Sequence, residues 1–581
     1  MRIEKIRIGN KEVMPFTIPS GIVMTSVATA SKFLREIEEL GIWTTKSIGP
    51  RPRVVPTGEI LEDRASMSPN NFARKYGEID FGYREPILYQ YAPGCWGNAI
   101  GLTNPGAEEF AKELEQSRHR FKIPGDKFVL ASIFGKNADE FVFVQDTLER
   151  LVDGFELNLS CPHCDKVGIA LGQDPDIVKD ILSVLRQRTS KPIFAKLTPN
   201  ARNIGDIAKT AIAAGADGIS AINTLGPELY VLPDGTPILT NQLGGMSGIG
   251  IKPAGLRCVR DIRKAIGDKP LINISGGIGT ARDVEEYRAV GGENVVYAPG
   301  SALAGMDDTE LRHYFSALHR DVDNGTNFAS QYLKKVDMNY RRVRVEKVRE
   351  NACDLRTIVT NTEIDARAGQ FVFAFIPGES EKPFSVMDDS PLTLGVLERG
   401  KLTRALNKLK AGDSFYVRGP YGKGIDFFKI RYASLALVGG GCGIAGLYLL
   451  AKKFNNGNHS LALQIFLGAK DGAHLLHDNE FSRYGQMHVA TEDGSLGRKG
   501  LVTDLLKREI EAGRIMPGTY FFNCGPEAMI REAVKIERTF APAERIYSSV
   551  DYMTRCGVGI CGSCADEKGR RTCIEGPFMN L

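Results

Sequence analysis

The sequence predicts an α/β protein of several domains, and three observations carry that expectation. Over residues 15–305, short apolar runs alternate with amphipathic helical stretches: FVLASIF, GFELNLS, PIFAKLT, GISAINT, PLINISGG and NVVYAPGSA are separated by segments such as DPDIVKDILSVLRQR and NIGDIAKTAIAAG. From about residue 340 the pattern shifts to short strands and turns, including QFVFAFIPG, PLTLGVLE and DSFYVRGPYGKG, before an α/β pattern returns. Four of the eleven cysteines then crowd into residues 556–573.

Strands alternating with helices make a parallel sheet, and about eight such units in roughly 300 residues fit a closed (β/α)8 barrel. An open doubly wound sheet is the alternative. Polar residues recurring at successive strand ends favour the barrel, whose mouth needs them. The strand-rich middle predicts an antiparallel β-barrel.

Composition sets the frame. A chain of 581 residues is too long for one core, so several domains follow. Lys+Arg 74 against Asp+Glu 70 leaves +4 with no basic block, which gives no support to nucleic acid or an anionic membrane as a partner. The start, MRIEKIRIGNKEV, has no apolar core of a signal peptide. Residues 433–451 carry no charge and are long enough to span a bilayer, but their glycine-rich middle suits a strand, a turn and a helix. Scattered single cysteines plus one dense cluster predict a reducing compartment, the cytoplasm, and a metal site in place of a disulfide framework.

The strand ends of the first half are informative. Thr45-Lys46-Ser47 follows GIWT, Ser132 follows FVLA, and Asn158-Leu159-Ser160-Cys161-Pro162-His163 follows GFEL. Lys196 ends PIFA, Asn223-Thr224 ends GISAI, Gly276-Gly277 ends PLINIS, and Gly300-Ser301 ends VVYAP. Glycine turns after late barrel strands commonly bind phosphate through backbone N–H groups. Lysines at apolar strand ends are costly unless an anion pairs with them. A cysteine after an apolar strand is by itself most often a small buried residue; here Asn158, Ser160 and the series of polar strand ends favour a functional one.

These residues carry a resemblance. Pro19-Ser20-Gly21, Thr45-Lys46-Ser47, residues 98–106 (NAIGLTNPG), Asn158 to Pro162, Ala195-Lys196-Leu197, Ile222-Asn223-Thr224, residues 244–248 (GGMSG), Gly276-Gly277-Ile278 and Gly300-Ser301 resemble, in order, the class 1 dihydroorotate dehydrogenases, FMN-containing (β/α)8 barrels. The resemblance implies that Cys161 is the catalytic base, taking a proton from carbon 5 of a dihydropyrimidine while hydride leaves carbon 6 for flavin. It implies substrate contacts from Lys46, Asn98, Ala99, Ile100, Gly101, Leu102, Asn104, Asn158, His163, Asn223 and Thr224. It implies FMN contacts from Ser20, Lys46, Ser47, Ser132, Asn158, Lys196, Ile222, Gly248, Gly276, Gly277, Gly300 and Ser301, and a homodimer formed through the barrel. A thiol starts near the pKa that two-way proton transfer needs. Neutral amides suit a ring with alternating donors and acceptors. One departure matters: the orotate enzymes usually have Asn two residues after the cysteine, where this chain has His163. Asn-Leu-Ser-Cys-Pro-His is similar to the dihydropyrimidine dehydrogenases of uracil breakdown, so the substrate stays open between the two.

In the second half, Lys382-Pro383-Phe384-Ser385 and Gly419-Pro420-Tyr421-Gly422 resemble the FAD-binding barrel of ferredoxin-reductase-like proteins. That likeness implies FAD contacts from Lys382, Pro383, Phe384, Ser385, Leu402 and Thr403, with Lys382 where such families commonly have Arg. Residues 433–438 run into Gly439-Gly440-Gly441-Cys442-Gly443 and a helix, a place for a dinucleotide phosphate. Asp493 and Gly525-Pro526, after two further apolar runs, complete a likeness to the pyridine-nucleotide domain of the same reductases, and NAD fits better than NADP.

The spacing Cys556-x4-Cys561-x2-Cys564-x8-Cys573 has the plant-type start that wraps a [2Fe–2S] cluster. Zinc is the other reading of four cysteines, but its paired CxxC arrangement is absent. The segment resembles the electron-transfer subunit that accompanies NAD-linked dihydroorotate dehydrogenases. The expected organisation is therefore a barrel over 1–330, an FAD domain over 331–428, an NAD domain over 429–545 and a cluster module over 546–581. The expected activity is dihydroorotate oxidation, with electrons passing from FMN through the cluster and FAD to NAD⁺. A dihydropyrimidine dehydrogenase, or an electron-transfer protein with an idle barrel, are the alternatives.

Overall fold

The computed structural model describes residues 2–52, 85–120, 123–159, 171–239, 242–352, 354–456, 462–476, 478–549 and 553–580. They form two compact units, Met1–Asp337 with Val558–Arg571, and Met338–Gly557 with Thr572–Leu581.

The first unit is built on a closed parallel barrel. Its strands are β1 (Phe16–Ile18), β2 (Leu40–Thr44), β3 (Phe128–Ile133), β4 (Gly154–Asn158), β5 (Ile193–Lys196), β6 (Gly218–Ala221), β7 (Leu271–Ser275) and β8 (Val295–Ala298). They pair in chain order, and β8 closes on β1 through Tyr297 and Phe16. Almost every strand residue is buried because helices cover the outer face and side chains fill the interior, which is why these strands read as continuous apolar runs.

Helices α1 (Val27–Glu36), α2 (Ala107–Arg120), α3 (Ala138–Leu148), α4 (Pro175–Arg186), α5 (Ile204–Ala213), α6 (Lys252–Ile266), α7 (Ala281–Gly291) and α8 (Asp308–Asn324) alternate with the strands. Helix α4 shows why they form. Asp174 caps the N-terminus by accepting from Asp176 N, Pro175 opens the first turn, and Val178, Ile181, Leu182 and Leu185 make one apolar stripe against the barrel. One element was not anticipated. The excursions after β2 and β6 pair into a four-stranded antiparallel sheet of Leu225–Leu229, Leu243–Gly248, Cys95–Asn98 and Leu88–Ala92. Glycines and short runs hide its alternation in the sequence.

The second unit holds two seven-stranded sheets. The first is antiparallel, with strands β9 (Arg341–Ala352), β10 (Leu355–Thr360), β11 (Phe371–Ile376), β12 (Ser380–Ser385), β13 (Asp388–Asp389), β14 (Leu392–Leu397) and β15 (Ser414–Tyr421), ordered β12-β11-β15-β9-β10-β14-β13. The long strand β9 pairs with β15 at its start and with β10 further on, so it joins the two halves of the ladder. Helix α9 (Lys401–Asn407) lies between β14 and β15 in the chain.

The second sheet contains β16 (Leu435–Gly440), β17 (Leu463–Ala469), β18 (Gln486–Thr491), β19 (Arg498–Lys499), β20 (Tyr520–Cys524), β21 (Ile546–Ser549) and β22 (Phe578–Met579), ordered β19-β18-β17-β16-β20-β21-β22. Helices α10 (Ala445–Asn456), α11 (Val502–Glu511) and α12 (Glu527–Glu537) connect its strands. The uncharged stretch 433–451 is thus β16, a tight glycine turn and the start of α10. Among the described residues no helix is long and apolar enough to cross a membrane.

Candidate active site

In a parallel barrel all strand C-termini open at one end, so the polar strand ends share the mouth. There they form one hydrogen-bonded string. Ser20 Oγ lies 3.2 Å from Ser47 Oγ, Ser47 Oγ lies 2.9 Å from Ser132 Oγ, and Asn158 Nδ2 donates to Ser47 Oγ at 2.9 Å. Asn223 Nδ2 reaches Asn158 Oδ1 at 3.5 Å. Six residues expected at the site, from five strand ends, are therefore neighbours: Ser20, Ser47, Ser132, Asn158, Asn223 and, through its N–H to Asn223 Oδ1 at 2.9 Å, Thr224. The Thr224 hydroxyl is buried and has no partner among the described residues, which suits an incoming polar ligand.

The two lysines differ. Lys46 Nζ donates to Thr103 Oγ1 at 3.1 Å, tying β2's end to the 98–106 loop. Lys196 Nζ stands 3.5 Å from Glu156 Oε1, both side chains being nearly withdrawn from water. Its burial therefore has a carboxylate partner inside the barrel and does not by itself demand a phosphate. Glu156 was missed because it sits mid-strand in the apolar run GFELN, where only barrel closure reveals that it points inward.

The 98–106 loop is more structural than expected. Asn98 Nδ2 donates to Gly245 O at 3.0 Å, Ala99 is fully buried, and Asn104 accepts from Gly49 N at 3.1 Å and Gly106 N at 2.8 Å while donating to Leu102 O at 2.9 Å. Between them Ile100 is half-buried, and Gly101 and Leu102 both take left-handed backbone, at φ 70° and 59°. Ile222 is buried, and its carbonyl accepts from Ser275 Oγ at 2.8 Å. At the late strand ends Gly276 and Gly277 have φ of 120° and 78°, and a Cβ on Gly277 would stand 3.1 Å from Gly248 O. Gly300 and Ser301 follow β8, and a Cβ on Gly300 would meet Ile22 Cδ1 at 3.1 Å and Pro19 Cγ at 3.3 Å. Cys161 and His163, just after β4, lie outside the described residues.

In the second unit Lys382, Pro383, Phe384 and Ser385 occupy β12, opposite Ala374, Phe373, Val372 and Phe371. A Cβ on Gly446 would stand 3.2 Å from Ser385 Oγ and 3.1 Å from Cys524 Sγ, so β12, α10 and β20 converge. Leu402 faces the core, and Thr403 Oγ1 accepts from Arg399 N at 2.9 Å and Gly400 N at 2.8 Å, which commits that hydroxyl to its own turn.

Strand β16 pairs with β17 on one side and β20 on the other, and the connections reverse there. The crevice beyond such a reversal is where open α/β sheets take ligands. Gly439, Gly440, Gly441 and Gly443 meet Gly525 and Pro526 at this point: a Cβ on Gly443 would stand 2.5 Å from Gly525 N, and one on Gly440 3.2 Å from Pro526 Cδ. Asp493 follows β18, two strands away, and accepts from Ser495 N at 2.9 Å and Ser495 Oγ at 2.7 Å. Those bonds hold its carboxyl below the usual range.

Cys556, Cys561, Cys564 and Cys573 are buried and none is in a disulfide. Among the described residues no three or more His, Cys, Asp or Glu side chains stand in an arrangement that could hold a metal ion. Gly557, Gly559, Gly562 and Gly569 have φ of 78°, 74°, 66° and 76°, left-handed backbone that glycine adopts without a Cβ penalty.

The chain thus carries both a polar barrel mouth and a glycine-lined strand reversal. The sequence matches the family Dihydroorotate dehydrogenase over residues 78–307 and the Oxidoreductase NAD-binding domain over 437–535. The catalytic subunit of dihydroorotate dehydrogenase B (NAD(+)) from Pyrococcus horikoshii is 43% identical over 254 residues, covering 44% of this chain and 77% of the relative. The same subunit from Pyrococcus furiosus is 42% identical over 225 residues, covering 39% and 72%. That of Thermoplasma volcanium is 35% identical over 314 residues, covering 53% and 91%. The chain belongs to the dihydroorotate dehydrogenase family.

Proposed function

We propose that the protein is an NAD⁺-linked dihydroorotate dehydrogenase that carries its electron-transfer half in the same chain, working in the cytoplasm in pyrimidine synthesis. The observation that carries the reading is the string of Ser20, Ser47, Ser132, Asn158 and Asn223 at the mouth of a closed barrel, in a chain that also has a glycine-lined strand reversal. Bound to these sites, FMN, a [2Fe–2S] cluster and FAD would supply hydride acceptance, single-electron relay and exchange with NAD⁺.

The residues fit these groups. The Thr224 hydroxyl and the Asn158 and Asn223 amides offer donors and acceptors to a uracil-like ring, and Lys46 offers a positive charge to its carboxylate. Gly276, Gly277, Gly300 and Ser301 present backbone N–H groups for a flavin phosphate. Cys161 holds the proton taken from carbon 5 of the substrate and returns it in the reverse direction. For the cluster, Cys556, Cys561 and Cys564 are buried thiols beside glycine turns, and Cys573 is a buried thiol on the short helix Thr572–Glu575. A two-iron cluster divides four thiolates two to each iron, so it does not require three ligands around one ion. Gly439 to Gly443 with Gly525 and Pro526 would take the NAD pyrophosphate, and β12 with Ser385 the FAD.

His163 favours the second reading, in which the substrate is dihydrouracil or dihydrothymine. The test is turnover of purified, flavin-loaded protein with NAD⁺ on dihydroorotate against dihydrouracil, with flavin and iron contents and the sedimentation mass measured on the same sample. Orotate formation, two flavins and two irons per chain, and a dimer are expected. No orotate formation would sink the orotate reading, and no turnover of either substrate would favour an idle barrel.

A further inference from the structure

We propose that the cysteine-bearing segment Val558–Arg571 holds the barrel loop after β1 in the shape that retains FMN, and that Arg571 is the positioning residue that seats the segment. The inference rests on the flavin reading above.

Although it lies at the far end of the chain, the segment belongs to the barrel unit. Two barrel loops receive it. Val23 N–H, after β1, donates to Ile560 O at 2.7 Å, and Gly305 N–H, after β8, donates to Val558 O at 2.9 Å. The fit is close, since a Cβ on Gly562 would stand 1.9 Å from Thr25 Oγ1 and one on Gly569 2.7 Å from Ala28 O.

Arg571 closes the seat. Its fully buried guanidinium donates to Gly559 O at 3.0 Å within the segment, and to Met306 O at 2.9 Å and Asp308 Oδ1 at 2.8 Å in the barrel. The other Asp308 oxygen takes Lys32 Nζ from α1. A buried guanidinium is costly without such partners, so the arrangement exists only where segment and barrel meet.

Val23 registers the consequence. It is a buried, β-branched residue at φ 53°, in the left-handed region that such residues avoid. Its N–H is spent on Ile560 O, so the docked segment helps hold the strained turn. The same loop carries Ser20, which joins the mouth string through Ser47, and its Pro19 and Ile22 pack against Gly300. Contacts therefore run from Arg571 through the segment to Val23, and from there along the loop after β1 to Ser20 and to Gly300, in the turn after β8 that would face the flavin phosphate. Loosening the seat frees Val23 to relax and shifts Ser20 and Pro19 relative to Gly300.

The test uses the full chain as wild type, Arg571→Lys, which keeps the charge but loses the fork, and Asp308→Asn, which disturbs the seat from the barrel side. Free FMN fluorescence on dilution gives the FMN dissociation constant, and hydrogen exchange follows the peptide containing Val23. Both variants are expected to bind FMN on the order of tenfold more weakly and to exchange faster at Val23, with far-UV circular dichroism unchanged. Either variant, if folded, decides the matter, so one that fails to fold leaves the other to be read. Wild-type FMN retention in a folded variant overturns the inference, whether or not exchange rises. Wild-type protein that takes up no FMN overturns the flavin reading itself, a separate result from variants that match a flavin-binding wild type.

Discussion

Arg418 grips Glu381 with two parallel hydrogen bonds, Nε to Oε2 at 2.7 Å and Nη2 to Oε1 at 2.6 Å, and water reaches neither side chain. The same guanidinium donates to the carbonyls of Cys556 at 2.9 Å and Arg555 at 3.3 Å and lies 3.9 Å from the Phe373 ring centroid. Tyr340 OH donates to Glu381 Oε2 at 2.5 Å. Charge, fork geometry and an aromatic face all favour arginine here, and lysine would not replace it.

Breaking that pair from one side strands a buried charge. Glu381→Leu is expected to destabilise the second unit by about 3–5 kcal/mol, whereas adding Arg418→Met should recover part of the loss by removing the orphaned guanidinium. Denaturant unfolding of the two single variants and the double variant checks this. A double variant that loses the sum of both single effects would contradict it.

Gly443 tests the nucleotide site. An alanine there must displace the backbone of Gly525, because the new Cβ would stand 2.5 Å from its N and Cα. The loops at the end of β16 and β20 would separate, and NADH affinity should fall about tenfold or more while the barrel's substrate affinity is unchanged. Titration of both ligands reads the difference.

Cys161→Ala removes the proposed base. Substrate oxidation should fall by roughly 10²–10⁴-fold, the usual worth of a positioned proton acceptor, while NADH still reduces the flavin of the second half. Stopped-flow absorbance resolves the two half-reactions. Substrate oxidation at the wild-type rate would remove the role from this thiol.

Glu537 predicts a pH dependence of stability. It is fully buried on α12, where burial pushes its carboxyl up to about 8 although Asn523 Nδ2 donates to it at 2.8 Å. In the folded chain it keeps a proton that the unfolded chain releases near 4.5. The unfolded state therefore binds fewer protons across that window, and stability falls as pH rises from about 4.5 through about 8. Glu537→Gln should flatten this slope and raise the Tm above pH 8, by an amount that corresponds to a few kcal/mol at most. Thermal unfolding of both proteins between about pH 5 and 9 checks it.

The sequence by itself determined the repeating strand–helix pattern, the polar strand ends and the cysteine spacing. Each is a local matter: apolar periodicity, a capping Asp174 before Pro175, or glycines that allow left-handed turns. Tertiary structure alone decided what those ends touch. Ser20 and Ser47 are 27 positions apart and Ser47 and Asn158 are 111 apart, yet barrel closure makes them bonded neighbours. Glu156 and Arg418 read as ordinary charged residues until folding buries them against Lys196 and Glu381. Val558–Arg571 could be recognised as a cysteine loop, but no pattern in it says that it belongs to the barrel unit. The reason is physical: hydrogen bonds between distant loops, such as Val23 N–H to Ile560 O, depend on where the chain returns, and periodicity carries no record of that.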